Sequence, residues 1–263
     1  MCLIALAWRV YPRYPLALIA NRDEFHARPT AAAGPDPDAP EVYGGRDLVQ
    51  GGGWLQASAR GRLAAVTNVR DGIAREAAPR SRGFLVRDFV RADAGALQAA
   101  AALAPTAAEY GRFNLLAWDG AELAFTSNHP RFACSPVAPG MHAMSNGAFD
   151  APWPKSGRAT RALAAWLDTP AAEACAQGEA AVLAPLFDAL ADAAPAPDAD
   201  LPDTGVGLDL ERALSPPFVL GEHYGTRCSS IVLVGTDRIV FAERRFGPHG
   251  VAAGESFAIL PLA

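Results

Sequence analysis

The chain has 263 residues, half of them hydrophobic and 19% charged, with 23 Lys and Arg against 28 Asp and Glu for a net charge of -5. That composition is too apolar for a disordered chain and too polar for a multispanning membrane protein. It also lacks the basic excess that binding a phosphate backbone demands, so a soluble globular protein with no nucleic-acid partner is expected. Lysine occurs once, at Lys155, in a chain rich in alanine and arginine, which points to compositional drift.

In chain order, the first 20 residues predict a hairpin, with strand-length apolar runs at 2–10 and 16–20 around Pro12 and Pro15. The opening run has no preceding cation and is too short to span a bilayer, so no stable membrane insertion and a cytoplasmic location are expected. Residues 31–40, rich in Ala, Pro, Gly and Asp, show no periodicity and predict a surface loop. Short strands are expected at 48–50, 54–57 and 62–67, punctuated by glycines. Helical spacing then appears through Phe84, Leu85, Phe89 and Val90, and continues over 94–103 on alanine propensity. Strands are expected at 113–118 and 123–127, joined by the hairpin signal Asp119-Gly120. Lys155, Ala159, Leu163, Trp166 and Leu167 mark a further helix, and 180–193 another. Strands return at 229–234, 238–246 and 256–260. Strands, helices and strands again predict an α+β domain covering 1–263 as one unit.

Cysteines at 2, 134, 175 and 228 form no C-x-x-C pair, and the histidines share no helix face, so no metal site is expected. Cys2 carries the strongest chemical signal. Methionine removal requires a small second residue, and would leave Cys2 as the N-terminus. Its α-amine, with an ordinary pKa near 7.7–8.0, is then its own general base. Such a nucleophile needs a carboxylate to orient the amine and donors to hold an oxyanion. Candidates cluster where strands end: Asn21-Arg22-Asp23-Glu24, Thr67-Asn68-Val69-Arg70, Ser145-Asn146-Gly147 and Gly225-Thr226-Arg227-Cys228. Arg22 and Arg227 are expected to favour the Cys2 thiolate, and Cys228 beside Arg227 is a weaker second nucleophile candidate.

These motifs together resemble the NRDE family, also called the transport and Golgi organisation protein 2 family, after the tetrad at 21–24. The resemblance extends through Met1-Cys2, Arg28-Pro29, Gly44-Gly45-Arg46-Asp47, Gly51-Gly52-Gly53-Trp54-Leu55, Phe113-Asn114-Leu115, Pro152-Trp153-Pro154-Lys155 and Tyr224-Gly225-Thr226-Arg227. That family in turn resembles the cysteine-type N-terminal nucleophile hydrolases. The second resemblance implies a four-layered αββα sandwich with mostly antiparallel sheets. It implies Cys2 as nucleophile and base, Asp23 as the amine-orienting carboxylate, Asn68 and Asn146 as oxyanion or substrate donors, and Arg227 as a late anion-binding arginine. The early arginine of those hydrolases has no aligned counterpart, so Arg22 or Arg28 would take its place. Arg70 and Trp54 complete the candidate substrate-binding set. The implied activity is hydrolysis or acyl transfer on a small amide or acyl compound, with no required cofactor. The alternative is a carrier that binds haem or a lipid or acyl ligand without catalysis.

Overall fold

The computed structural model describes residues 2–73, 78–176 and 180–262. Its strands, in chain order, are β1 (Cys2–Tyr11), β2 (Tyr14–Phe25), β3 (Thr30–Asp36), β4 (Ala39–Asp47), β5 (Gly53–Ser58), β6 (Arg62–Asn68), β7 (Phe113–Trp118), β8 (Leu123–Ser127) and β9 (Ala133–Pro136). Four more follow: β10 (Gly140–Met144), β11 (Tyr224–Val234), β12 (Arg238–Phe246) and β13 (Ala252–Pro261). The α-helices are α1 (Gly83–Arg91), α2 (Ala96–Ala101), α3 (Pro154–Leu167), α4 (Pro170–Ala176), α5 (Ala184–Leu190) and α6 (Leu208–Ala213). The expected α+β class with antiparallel sheets is what the structure has.

Two compact units divide the chain, and each is built on one sheet. The first comprises Met1–Ala27, Arg70–Ile73 and Pro139–Leu260. Its six-stranded sheet runs β10-β1-β2-β11-β12-β13. The first and last thirds of the chain meet here, because β2 pairs antiparallel with β1 on one side and with β11 on the other. Alternation along the strands puts Leu3, Ala5, Ala17, Ile19, Ile231 and Leu233 on one face. There they form one core with Leu163, Trp166, Leu186, Phe187 and Leu190 from α3 and α5. Pro154 at the start of α3 supplies a preset φ where its missing N–H is not needed. The buried stripe of α3 is Lys155, Ser156, Ala159, Leu163, Trp166 and Leu167, so a lysine occupies its first position.

The second unit comprises Arg28–Val69, Ala74–Ala138 and Pro261–Ala263. Its seven-stranded sheet follows chain order from β3 to β9, with every neighbouring pair antiparallel. Helices α1 and α2 pack Leu85, Val86, Phe89, Val90, Ala96 and Ala100 against Ala64, Val66, Leu115 and Ala117 of its central strands. The hairpin expected at Asp119-Gly120 joins β7 to β8. Gly120 adopts φ +96, and the Asp119 carboxylate accepts hydrogen bonds from the N–H groups of Ala121 and Glu122.

Three local expectations are corrected. Residues 31–40 are not a loop: they contribute β3 and the start of β4. β3 is an edge strand with two register shifts, where Pro35 removes no hydrogen bond that the sheet requires. Residues 48–50 are a turn, not a strand. Asp47 organises it by accepting from Gly51 N through its carbonyl and from Val49 N through its carboxylate. The helix expected over 180–193 is a 3-10 turn at Ala180–Leu183 followed by α5.

Candidate functional site

The tetrad at 21–24 does not follow β2 but lies within it, one residue short of its end. Pairing with β1 reaches Arg22 and pairing with β11 carries the strand on through Asp23 and Glu24, and alternation sends the four polar residues to opposite faces. Asn21 is fully buried on the helix-covered face. Its Nδ2 donates to the carbonyls of Leu190 and Pro217 at 2.8 Å each, and its Oδ1 accepts from the Ser229 hydroxyl at 2.6 Å. The first residue of the tetrad is therefore a structural clamp that ties the end of α5 to the sheet.

Asp23 follows on the same face, 2% exposed. Its Oδ1 accepts from the Thr226 hydroxyl at 2.7 Å, and that hydroxyl in turn accepts from the Val219 N–H at 2.9 Å. The second bond fixes the direction of the first, so the hydroxyl proton points at the carboxylate. The Val219 segment reaches this position because Gly225 lacks a Cβ, which would lie 2.7 Å from the Val219 carbonyl. The Tyr224 hydroxyl donates to the Asp23 carbonyl at 3.2 Å. Burial raises the Asp23 carboxyl above the usual carboxylate range, against the opposing pull of Lys155, Thr226 and Arg22.

Cys2 opens β1 opposite Arg22 and is buried. Its carbonyl accepts from the Ser145 hydroxyl at 2.9 Å. Burial pushes its thiol pKa up, the Asp23 charge adds to this, and Arg22 and the Asp23 backbone N–H oppose it. Burial favours the neutral thiol against the pull of Arg22, so a base must take the proton when the sulfur reacts. Cys228, on the other side of Arg22, is pushed well above the ordinary thiol value by burial and then by Glu243, which corrects its candidacy as a second nucleophile.

The remaining expected residues divide between the units. Asn146, fully buried next to Ser145, presents its carbonyl to the Arg70 N–H at 2.7 Å. The Arg70 guanidinium donates to Glu211 at 2.5 Å and to the Thr204 hydroxyl at 2.8 Å, with its side chain 7% exposed and that of Glu211 3%. Arg227 occupies a bulge between Thr226 and Cys228 and donates to the Phe25 carbonyl at 2.9 Å. Cys2, Arg22, Asp23, Arg70, Asn146 and Arg227 all belong to the first unit. Asn68 ends β6, and Trp54 is buried in β5, both in the second unit. Arg28, also there, clamps the Asp47 carboxylate at 2.6 and 3.0 Å and so supports the β4–β5 turn. Met1 lies outside the described residues.

Residue reasoning named motifs containing Lys155, Tyr224, Thr226 and Ser145 but gave these residues no role, and it missed Glu211. Lys155 is 2% exposed, and burial lowers its ammonium to about 8 while Asp23 pulls it upward. A signal for it existed: the one lysine of the chain stands at the head of an apolar helical stripe. Among the described residues no cluster of three or more His, Cys, Asp or Glu could hold a metal, and no helix is long and apolar enough to cross a membrane.

An antiparallel α+β protein whose first strand begins at a buried cysteine, beside a buried carboxylate, defines the class. The particular family is shown by sequence: residues 1–248 match the model of transport and Golgi organisation 2, and the chain belongs to that family. It is 31% identical to the transport and Golgi organization protein 2 homolog of Bos taurus, over 93% of this chain and 92% of that protein. The Homo sapiens homolog is 30% identical over the same shares. Among solved structures, the chain is similar to the Caenorhabditis elegans N-acylethanolamine-hydrolyzing acid amidase ortholog. The TM-score there is 0.49 and the identity 9%, covering 88% of this chain and 92% of that one. Conjugated bile acid hydrolase from Clostridium perfringens, as its C2A mutant, gives a TM-score of 0.49 at 7% identity over 100% and 92%.

Proposed function

We propose that the chain is an N-terminal-cysteine hydrolase or acyl-transfer enzyme acting on a small amide or acyl compound. The observation that carries this reading is the buried Asp23 carboxylate, fixed in direction by Thr226, next to the first residue of β1. A carboxylate buried without such a purpose is costly, and strongly perturbed groups concentrate at sites of chemistry.

In this mechanism, removal of Met1 frees the Cys2 amine, and Asp23 orients it. The neutral amine accepts the thiol proton as the sulfur attacks the substrate carbonyl, so no resting thiolate is needed. Asn146 is the candidate donor for the tetrahedral oxyanion. Collapse breaks the C–N bond, and the Cys2 ammonium returns its proton to the departing amine. The resulting thioester is hydrolysed by water, or passes its acyl group to another acceptor, which regenerates the thiol. Arg22 or Arg70 would bind an anionic part of the substrate, and Arg227, near Arg22, would add to the positive charge there.

The test compares wild type whose N-terminus is confirmed by intact mass with Cys2→Ala and Cys2→Ser. The reading expects amide or thioester turnover in the wild type, lost by at least about 10³-fold in Cys2→Ala with ligand affinity retained. A processed wild type without turnover on amides, esters and thioesters, but with saturable haem binding that Cys2→Ala leaves intact, would replace the enzyme with a carrier.

A further inference from the structure

Lys155 is a buried cation of the site cluster whose charge no carboxylate touches. Arg70 is paired with Glu211, and Arg22 has Glu24 at 3.7 Å. Lys155 donates one hydrogen bond, to the Leu214 carbonyl at 3.3 Å, and its Nζ stands 5.8 Å from the Trp153 ring centroid, with Arg70 over the same ring. An ammonium with three donors, buried on the core stripe of a helix, costs several kcal/mol unless a nearby negative charge offsets it. The topology supplies that charge. The next turns of α3, at Ala159 and Leu163, pack on Leu3, Ala5 and Ile19. Asp23 lies two pleats beyond Ile19 on the same face of β2, and contacts place Lys155 in the same cluster: it shares the Trp153 ring with Arg70, whose N–H donates to the Asn146 carbonyl, and the neighbouring Ser145 donates to the Cys2 carbonyl.

We propose that Lys155 is a positioning residue that keeps Asp23 ionised, so that the carboxylate can hold the Cys2 amine. The purpose of the pair rests on the reading of Cys2 given above; the pair itself does not. The groups that act on Asp23 are Cys2 at the start of β1, Arg22 beside it in β2, Tyr224 and Thr226 on β11, and Lys155 on α3. Burial alone would drive Asp23 toward the neutral acid, whose hydroxyl donates and whose carbonyl is a weaker acceptor for the N–H groups of the Cys2 amine than a carboxylate is. Lys155, with a pKa of about 8, is mostly charged at pH 7 and neutral above pH 9. The influence is mutual: Asp23 is the largest of the factors that raise Lys155, and Lys155 acts to lower Asp23.

Because the chain has one lysine, protein grown with ε-carbon-13 lysine gives one side-chain resonance, free of assignment ambiguity. Its titration should have a midpoint near 8 in the full chain. In Asp23→Asn that midpoint should fall by about one pH unit or more, the ordinary effect of removing one nearby opposite charge. In the reciprocal arm, carboxyl-labelled aspartate is followed in wild type, Lys155→Met and Lys155→Arg. The Asp23 signal, identified by its loss in Asp23→Asn or, where that variant does not fold, in Asp23→Glu, should titrate at higher pH in Lys155→Met and return toward wild type in Lys155→Arg. An unchanged lysine midpoint in folded Asp23→Asn overturns the pairing. If that variant does not fold, an Asp23 midpoint equal in wild type and Lys155→Met overturns it. Both arms are read without substrate, so an inactive Cys2 would leave this coupling intact, and a missing coupling would leave Cys2 turnover to be judged separately.

Discussion

Replacing Asn21 with alanine tests whether the leading residue of the tetrad is a structural clamp. The side chain is fully buried and makes three hydrogen bonds, two from Nδ2 at 2.8 Å and one to Oδ1 at 2.6 Å. Each is worth about 1 kcal/mol net. Leu190 is the last residue of α5, so its carbonyl has no partner within the helix, and losing the Asn21 amide strands it in the core. The same holds for the Pro217 carbonyl and the Ser229 hydroxyl, and stranded buried groups cost about 1 kcal/mol or more each. The expected loss is about 3 to 5 kcal/mol, or roughly 10 °C in Tm for a chain of this size. Urea and thermal unfolding followed by circular dichroism measure it. Ser229→Ala alone should cost about 1 kcal/mol, and the double variant less than the sum, because the Ser229 bond is shared. A loss under about 1 kcal/mol in Asn21→Ala would refute the clamp and return Asn21 to the list of candidate binding residues.

Two further outcomes follow from buried and partly buried charges. Arg70→Met leaves Glu211 without its cation inside the fold and should destabilise by about 3 to 5 kcal/mol, whereas Arg70→Met with Glu211→Leu should recover most of that; equal losses in single and double variants would contradict the pairing. Burial opposes the lowered pKa of Asp119, but the N–H groups of Glu122, Ala96 and Ala121 outweigh it. A depressed carboxylate contributes stability above its unfolded pKa near 4 and loses it as pH falls through the folded value. The urea midpoint of wild type should therefore exceed that of Asp119→Asn at pH 7 and converge on it toward pH 3. A gap that stays constant over this range would exclude the linkage.

What the sequence made legible follows from where local chemistry decides the outcome. Asp119-Gly120 specifies a tight turn by itself, and the stripe from Ala159 to Leu167 specifies the buried face of α3 without outside help. β3 was not legible, because Ala, Pro and Gly carry no strand preference, and the segment becomes a strand only by pairing with β4 at the sheet edge. The extension of β2 through its charged tetrad was hidden for the same reason: β1 and β11 hold Asn21 and Arg22 from both sides, and β11 carries the strand on through Asp23 and Glu24. The site shows the same division. Cys2 and Asp23 could be singled out because one residue at the terminus and one carboxylate near it have few other uses. Thr226 and Ser145 fell inside candidate clusters but could be given no role, since a hydroxyl reveals its role only through the partner it meets, and those partners are 203 and 143 residues away in the chain. Lys155 stands between these cases. Its identity is plain in the sequence, but its burial depends on α3 packing with that stripe inward, and a lysine at the head of a helix is ordinarily solvated. The informative sign was the combination of a unique residue type with a position that the helical period reserves for the core.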